Sequence, residues 1–250
     1  MSQAGTTSAQ AASTPATNRQ TPLPPADGGR ENRVPVRVWD GWVRLVHWLI
    51  VVLVPFSWWS AWSYHMDWHL LSGFTILTLV IFRVVWGFVG SDTARFTRFL
   101  RSPMGALVHL RHMTRREADT ELGHNAAGGW MVLVLLGLLL CQTVTGLMSD
   151  DQVMTHGPLA PHVSGDASDL ADAIHRTVFW VIVGAAALHV LAVMLYAALK
   201  GQDLVRPMVT GVKRLPAGFA SRAPRLGNPA LGAALLGGAA LLVWWVSWLG

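Results

Sequence analysis

Five stretches of this chain, roughly 41–63, 68–90, 127–148, 173–199 and 229–249, are each apolar over about the 20 residues that a helix needs to cross a ~30 Å hydrocarbon core. Lipid offers backbone groups no hydrogen-bond partner, so each stretch must close its own ladder as a helix. Composition agrees, with 52% hydrophobic residues against 13% charged, about half the charged share of a soluble domain. The expectation is an all-α integral membrane protein. Its first four spans (39–200) form a helical bundle, a linker (201–227) follows, and a fifth transmembrane helix (228–250) ends the chain.

Residues 1–33 are rich in Ser, Thr, Ala, Gln and Pro and lack the apolar core of a signal peptide; residues 1–38 are taken as a disordered tail. Basic residues crowd the first-span entry, the loop between spans two and three and the segment after span four. SYHMD, between spans one and two, has no Lys or Arg, and the 149–173 loop has five Asp and no basic residue but two His. By the positive-inside bias the N-terminus is cytoplasmic and the acidic loop faces outward. The basic residues are therefore accounted for without nucleic acid. The inner loop stretch FTRFLRSPMGALVHLRHM (96–113) reads as an interfacial amphipathic helix, with His109 and His112 as surface residues.

A single cysteine, Cys141, excludes both a disulfide framework and CxxCH attachment of haem. Histidines are more informative. Of ten, four fall inside the spans: His47, His69, His175 and His189. A histidine in hydrocarbon needs a partner and is a functional hypothesis by default. His175 and His189 are 14 residues apart on one helix, about 21 Å along its axis and within about 40° of one face. His47 falls near the inner end of span one and His69 near the outer end of span two. Two pairs at two depths follow: His47 with His189, and His69 with His175.

Paired imidazoles on facing helices can hold a haem iron from both sides, which leaves no open position for oxygen or substrate and makes the group an electron carrier. Zinc lacks further Cys, Asp or Glu at either level, and a proton relay lacks carboxylates, since Asp40, Asp67 and Asp172 sit only at span ends. Arg83, 14 residues after His69, returns to the same face at the inner level. Arg83, Arg44 and, for the outer level, Arg176 are candidates for haem propionates. His124, at the start of span three, is a candidate propionate or quinone contact. Gly73, Gly128, Gly129, Gly146 and Gly184 offer room for a flat macrocycle or for close helix packing.

WDGWVRLVHW (39–48), HLLSGFTILTLVIFRVVWGFVG (69–90), GHNAAGGW (123–130), TG (145–146) and IHRTVFWVIVGAAALH (174–189) resemble the bacterial cytochrome b561 and nickel-hydrogenase cytochrome b family over about residues 36–215. Ala126 stands where many hydrogenase-type relatives carry Pro. The resemblance implies a four-helix core binding two haem b groups, with His47, His69, His175 and His189 as axial ligands. It also implies quinone-linked electron transfer with a bound quinone or quinol, and a redox partner at the membrane surface. That partner would be a periplasmic c-type cytochrome or a hydrogenase-like subunit, and the location the bacterial inner membrane, multi-pass and in contact with lipid. The other reading is a haem-bearing anchor subunit of a hydrogenase-like or other periplasmic oxidoreductase, without quinone chemistry of its own.

Overall fold

In the computed structural model, residues 33–105, 121–151 and 155–250 are described, with backbone alone at 219–221. Of the disordered tail expected over residues 1–38, residues 1–32 lie outside the described residues, as do His109, His112 and the second half of the expected interfacial helix, while residues 33–37 are a strand and not disordered. The long helices are α1 (Gly41–Trp62), α2 (Met66–Val89), α4 (Ala126–Met148), α5 (Gly165–Leu195, extended by a π-helical turn Tyr196–Lys200) and α7 (Pro229–Ser247). Among the described residues, these five are long and apolar enough to cross a membrane. Shorter elements complete the chain: β1 (Arg33–Arg37), α3 (Phe96–Phe99), α6 (Val205–Thr210) and β2 (Val212–Pro216).

Four of the five spans begin on a side-chain cap, because the first backbone N–H groups of a helix otherwise lack acceptors. Asp40 accepts from Val43 N at 2.8 Å, Asn125 from Gly128 N at 2.7 Å, Ser164 from Ala167 N at 3.3 Å, and Asn228 from Ala230 N at 2.9 Å. Ala126 occupies the first helical position of α4, where Pro is equally at home, which explains why the departure from the hydrogenase-type pattern leaves the helix start intact. Pro55 lies inside α1 without ending it.

Two boundaries differ from expectation. The fourth span begins at Gly165 rather than near 173, so Asp166, Asp169 and Asp172 are helical and not part of a loop. Hydropathy misses these first two turns because DASDLADA is polar, although Ser164 and Asp166 supply the cap and the acidic first turn of a helix start. The second difference lies at the tail and the linker. Residues 33–37 pair antiparallel with 212–216, from Arg33 opposite Pro216 to Arg37 opposite Val212.

This ribbon belongs to a cap at one end of the bundle. Val38 and Trp39 N both donate to Gly211 O, Thr93 Oγ1 donates to Val38 O at 2.6 Å, and Gly227 N donates to Ser91 Oγ at 2.7 Å. Val36, Val38, Trp39, Leu215, Phe82 and Trp86 bury one another there. A two-stranded ribbon is marginal alone, so this packing is what holds it. α3 makes a single turn before Leu100 breaks it, with Phe96 and Phe99 buried rather than lying on a surface. We call this end the strand end and the other the acidic-loop end.

α2 is the most buried span and packs on α1, α4 and α7, while α4 packs on α5. α5 makes little direct backbone approach to α1 or α2. Midway along the bundle those helices meet through Ile76, Val80, Leu139 and Ile182, with Ile50, Leu53 and Val178 against them. The fifth helix α7 leans on α2 and α4 through Val243, Leu77 and Leu147, and Trp42 Nε1 donates to Pro229 O at 3.2 Å.

Candidate functional site: histidines at two levels

At the acidic-loop end, the His69 and His175 rings lie with centroids 6.1 Å apart and planes at 85°. Each ring is anchored from behind. His69 Nδ1 donates to Ser57 O at 2.9 Å, with Ser57 Oγ at 3.1 Å, and His175 Nδ1 donates to Gln142 O at 2.8 Å. A carbonyl only accepts, so both Nδ1 atoms carry the proton and both Nε2 atoms present a lone pair. This is the second-shell arrangement that orients a metal-binding imidazole. Gly146 makes room for the ring: a Cβ there would stand 2.9 Å from His175 Cε1. Around Gly73, one turn after His69, a Cβ would meet nothing within 4 Å.

At the strand end, His47 on α1 stacks edge-on against Trp48, with centroids 5.0 Å apart. Its Nδ1 is buried without a hydrogen-bond partner. His189 lies within electrostatic reach of His47, and His124 within reach of Arg83, His189 and His47. His124 sits between Trp39 and Phe99, at 4.6 and 4.7 Å between centroids, and its Nδ1 is likewise buried and unpaired. Burial first, then Arg83, pushes its pKa down to about 3, so the ring is neutral at physiological pH.

The arginines are distributed unevenly. Arg83 is 6% exposed; its Nη1 donates to Ala94 O at 3.3 Å and its guanidinium lies 5.4 Å from the Phe96 ring centre. It belongs to the strand-end level with His124. Arg44, another propionate candidate, is turned to backbone: Nη1 donates to Val209 O at 2.6 Å and Nε to Asp40 O, tying α1 to α6. Arg176 pairs with Asp172 at 2.7 Å. Gly129 gives way to Phe99 and Gly128 lies beside the Asn125 cap, whereas a Cβ on Gly184 would meet nothing.

Several contributors carried little mark in the sequence. The Ser57 and Gln142 acceptors are backbone carbonyls, which any residue supplies. Asp40 accepts from Trp86 Nε1 at 3.1 Å besides capping α1, and only the D-G before an apolar run hinted at it. Gln142 Oε1 is buried without a partner, and a lone amide in mid-span was the available clue.

These residues fit haem better than a bare metal ion. An iron held by two imidazoles, each nitrogen about 2 Å away and each ring centre about 1 Å behind it, sets the centres about 6 Å apart, as His69 and His175 are. Among the described residues no group of three or more His, Cys, Asp or Glu could hold a metal ion, so each level offers a pair and not a tetrahedral set. The unpaired Nδ1 atoms of His47 and His124 are unmet polarity at the strand end, and the open face of Gly73 leaves room beside His69.

Compared with known families, residues 38–211 match the family model described as prokaryotic cytochrome b561. Neither the curated proteins nor the solved structures gave a match. Because that match takes in α1, α2, α4, α5 and all four intramembrane histidines, the chain belongs to the prokaryotic cytochrome b561 family, membrane b-type cytochromes that bind haem b and transfer electrons.

Proposed function

We propose that the chain carries electrons across the membrane between the quinone pool and a redox partner protein, through two haem b groups. One is held by His69 and His175, the other by His47 and His189. The observation that carries this reading is the separation of the imidazoles into two levels, with the apolar layer of Ile76, Val80, Leu139 and Ile182 between. Haem bound between these imidazoles would supply a one-electron iron couple.

The chain's own residues do the rest. Ser57 and Gln142 carbonyls hold two imidazoles in the ligating tautomer. The apolar layer excludes water between the levels. Arg83 and the neutral His124 give the strand end a cation and a hydrogen-bonding ring for propionate or quinone headgroup. The strand end, where Arg33, Arg37, Arg95, Arg98 and Lys213 collect, faces the cytoplasm in this reading, and the partner meets the acidic-loop end.

Haem quantitation tests the proposal. Pyridine haemochrome analysis of fully loaded protein should report about two equivalents, all released by acid–acetone, and quinol should reduce the haem. One equivalent would overturn the two-level reading. Haem that quinol leaves oxidised would favour the anchor-subunit reading instead.

A further inference from the structure

We infer that the β1–β2 ribbon and α6 form a binding surface for the headgroups of anionic phospholipids, beside the first two turns of α1. An arginine face on the ribbon adjoins exposed valines held at the depth of a membrane span.

The arginine face follows from the register. β1 exposes Arg33, Pro35 and Arg37 and buries Val36. β2 buries Lys213 and Leu215 and exposes Arg214, which stands opposite Pro35. Residues opposite one another in an antiparallel pair share a face, and diagonal neighbours lie about 7–8 Å apart, within reach of long side chains. Arg214 therefore sits on the outer face between Arg33 and Arg37. The inner face packs into the cap, where Lys213 Nζ donates to Glu121 O at 2.8 Å. Among the described residues neither Arg37 nor Arg214 joins an ion pair. Over 33–40 and 200–225 the acidic residues are Asp40, which is buried, and Asp203, whose Oδ1 accepts from Val205 N and Arg206 N at 3.1 and 3.0 Å.

The depth is set by α1. Trp48 lies about 10 Å along the helix axis from Gly41, at ~1.5 Å per residue. Its Nε1 donates to Met208 O at 3.2 Å, and Arg44 Nη1 donates to Val209 O at 2.6 Å. These bonds hold α6 against the start of a membrane-spanning helix. There Val205 and Val209, one turn apart, are 51% and 55% exposed, and Arg206 is exposed beside them. Apolar side chains along a span are covered by acyl chains, and Trp is enriched at the headgroup level. α6 passes through Gly211 directly into β2, which brings the valines and the ribbon arginines into one surface.

The chemistry selects the ligand. A guanidinium grips two phosphate oxygens with parallel N–H···O bonds. Phosphatidylglycerol leaves its phosphate charge uncompensated, whereas the ammonium of phosphatidylcholine cancels it. The surface therefore favours anionic over zwitterionic lipid, with acyl chains against Val205 and Val209. A soluble acidic protein would meet the arginines and leave the valines uncovered.

Native mass spectrometry of the haem-loaded full chain in neutral detergent tests this, with titrations of phosphatidylglycerol and phosphatidylcholine of matched acyl chains. Phosphatidylglycerol should be retained about fivefold better or more at low salt. Arg37→Gln with Arg214→Gln should remove most of that preference, and Arg37→Lys with Arg214→Lys should keep part of it. Reduced haem spectra identical to those of the unaltered protein show that the variants are folded. Arg95→Gln with Arg98→Gln, where both cations already face Asp92, is the control and should keep the preference. Should the ribbon variant lose its haem, Val205→Ser with Val209→Ser and Arg206→Gln, all on the exposed side of α6, should lower phosphatidylglycerol retention instead. Equal retention of the two lipids, a preference that survives the ribbon or α6 variants, or one lowered as much by the control pair would overturn the assignment. So would displacement of phosphatidylglycerol by inorganic phosphate at matched concentration, which would mark a site for free anions.

Discussion

Gly146 shows how much of the site is decided by a missing atom. A methyl group there would stand 2.9 Å from His175 Cε1 and 3.1 Å from Nδ1, so Gly146→Ala must push the ring off the Gln142 carbonyl. The expected outcome is loss of the haem component that His69→Ala also removes, with the other spectrum unchanged. Gly137→Ala, where a Cβ meets nothing within 4 Å, is the control. Absorbance spectra of the reduced variants check both. The sequence made the histidines legible because imidazoles in hydrocarbon are costly, and depth arithmetic alone set His69 opposite His175. It was silent about their anchors, since a carbonyl acceptor has no side chain to read. Asp40 was only half legible: its place before an apolar run marks a cap, but its bond to Trp86, 46 positions on, does not show in a local pattern. Asp40→Ala should cost about 2–4 kcal/mol, adding a lost cap to an unpaired buried N–H, while Asp40→Asn should recover most of it. Thermal unfolding of the detergent-solubilised protein measures the difference.

At the scale of elements, the spans were legible because each is a local, 20-residue property, and the ribbon was not because it is neither long nor local. RVPVR and VKRLP are five residues each, carry a Pro apiece, and meet across almost the whole described chain. Only the burial of Val36 and Leu215 beneath Trp39 and Trp86 selects that pairing. The ribbon changes where the chain can be cut. Truncation at about residue 215 would divide β2, whereas truncation after Arg222 removes α7 and the Gly227 contact to Ser91 but spares the ribbon. The shorter protein should insert and keep both haem components, since α7 brings no ionisable residue and packs through Val243 onto Leu77 and Leu147. It should unfold at a lower temperature, because the apolar faces of α2 and α4 lose those contacts. Loss of either haem from a stably inserted truncation would show that α7 belongs to the haem-binding core.

For the whole molecule the dominant feature is polarity of charge along the bundle. Arginines and lysines gather in the strand-end cap and the segments beside it, and the acidic-loop end holds Asp67, Asp150, Asp151, Asp166, Asp169 and Asp172 against Arg176. The helical start of α5 alters what this end offers a partner. Asp166 and Asp169 are exposed on its first turns, on the same helix that carries His175; Asp172 meets Ser149 and Arg176, and Asp151 accepts from Thr155 N to shape the loop. A basic electron donor would be steered by the exposed pair, and steering between exposed charges fades beyond a Debye length of about 10 Å at 0.1 M salt. Asp166→Asn with Asp169→Asn should therefore slow haem reduction by the native partner several-fold at low salt and flatten the dependence of that rate on ionic strength. Both haem spectra should stay as they were, because both carboxylates are on the exposed surface of the first turns of α5, well before His175. Stopped-flow reduction over a series of salt concentrations gives the slope directly. An unchanged rate at low salt would mean that the acidic end is only the counterpart of basic residues kept on the other side, and that the partner docks elsewhere.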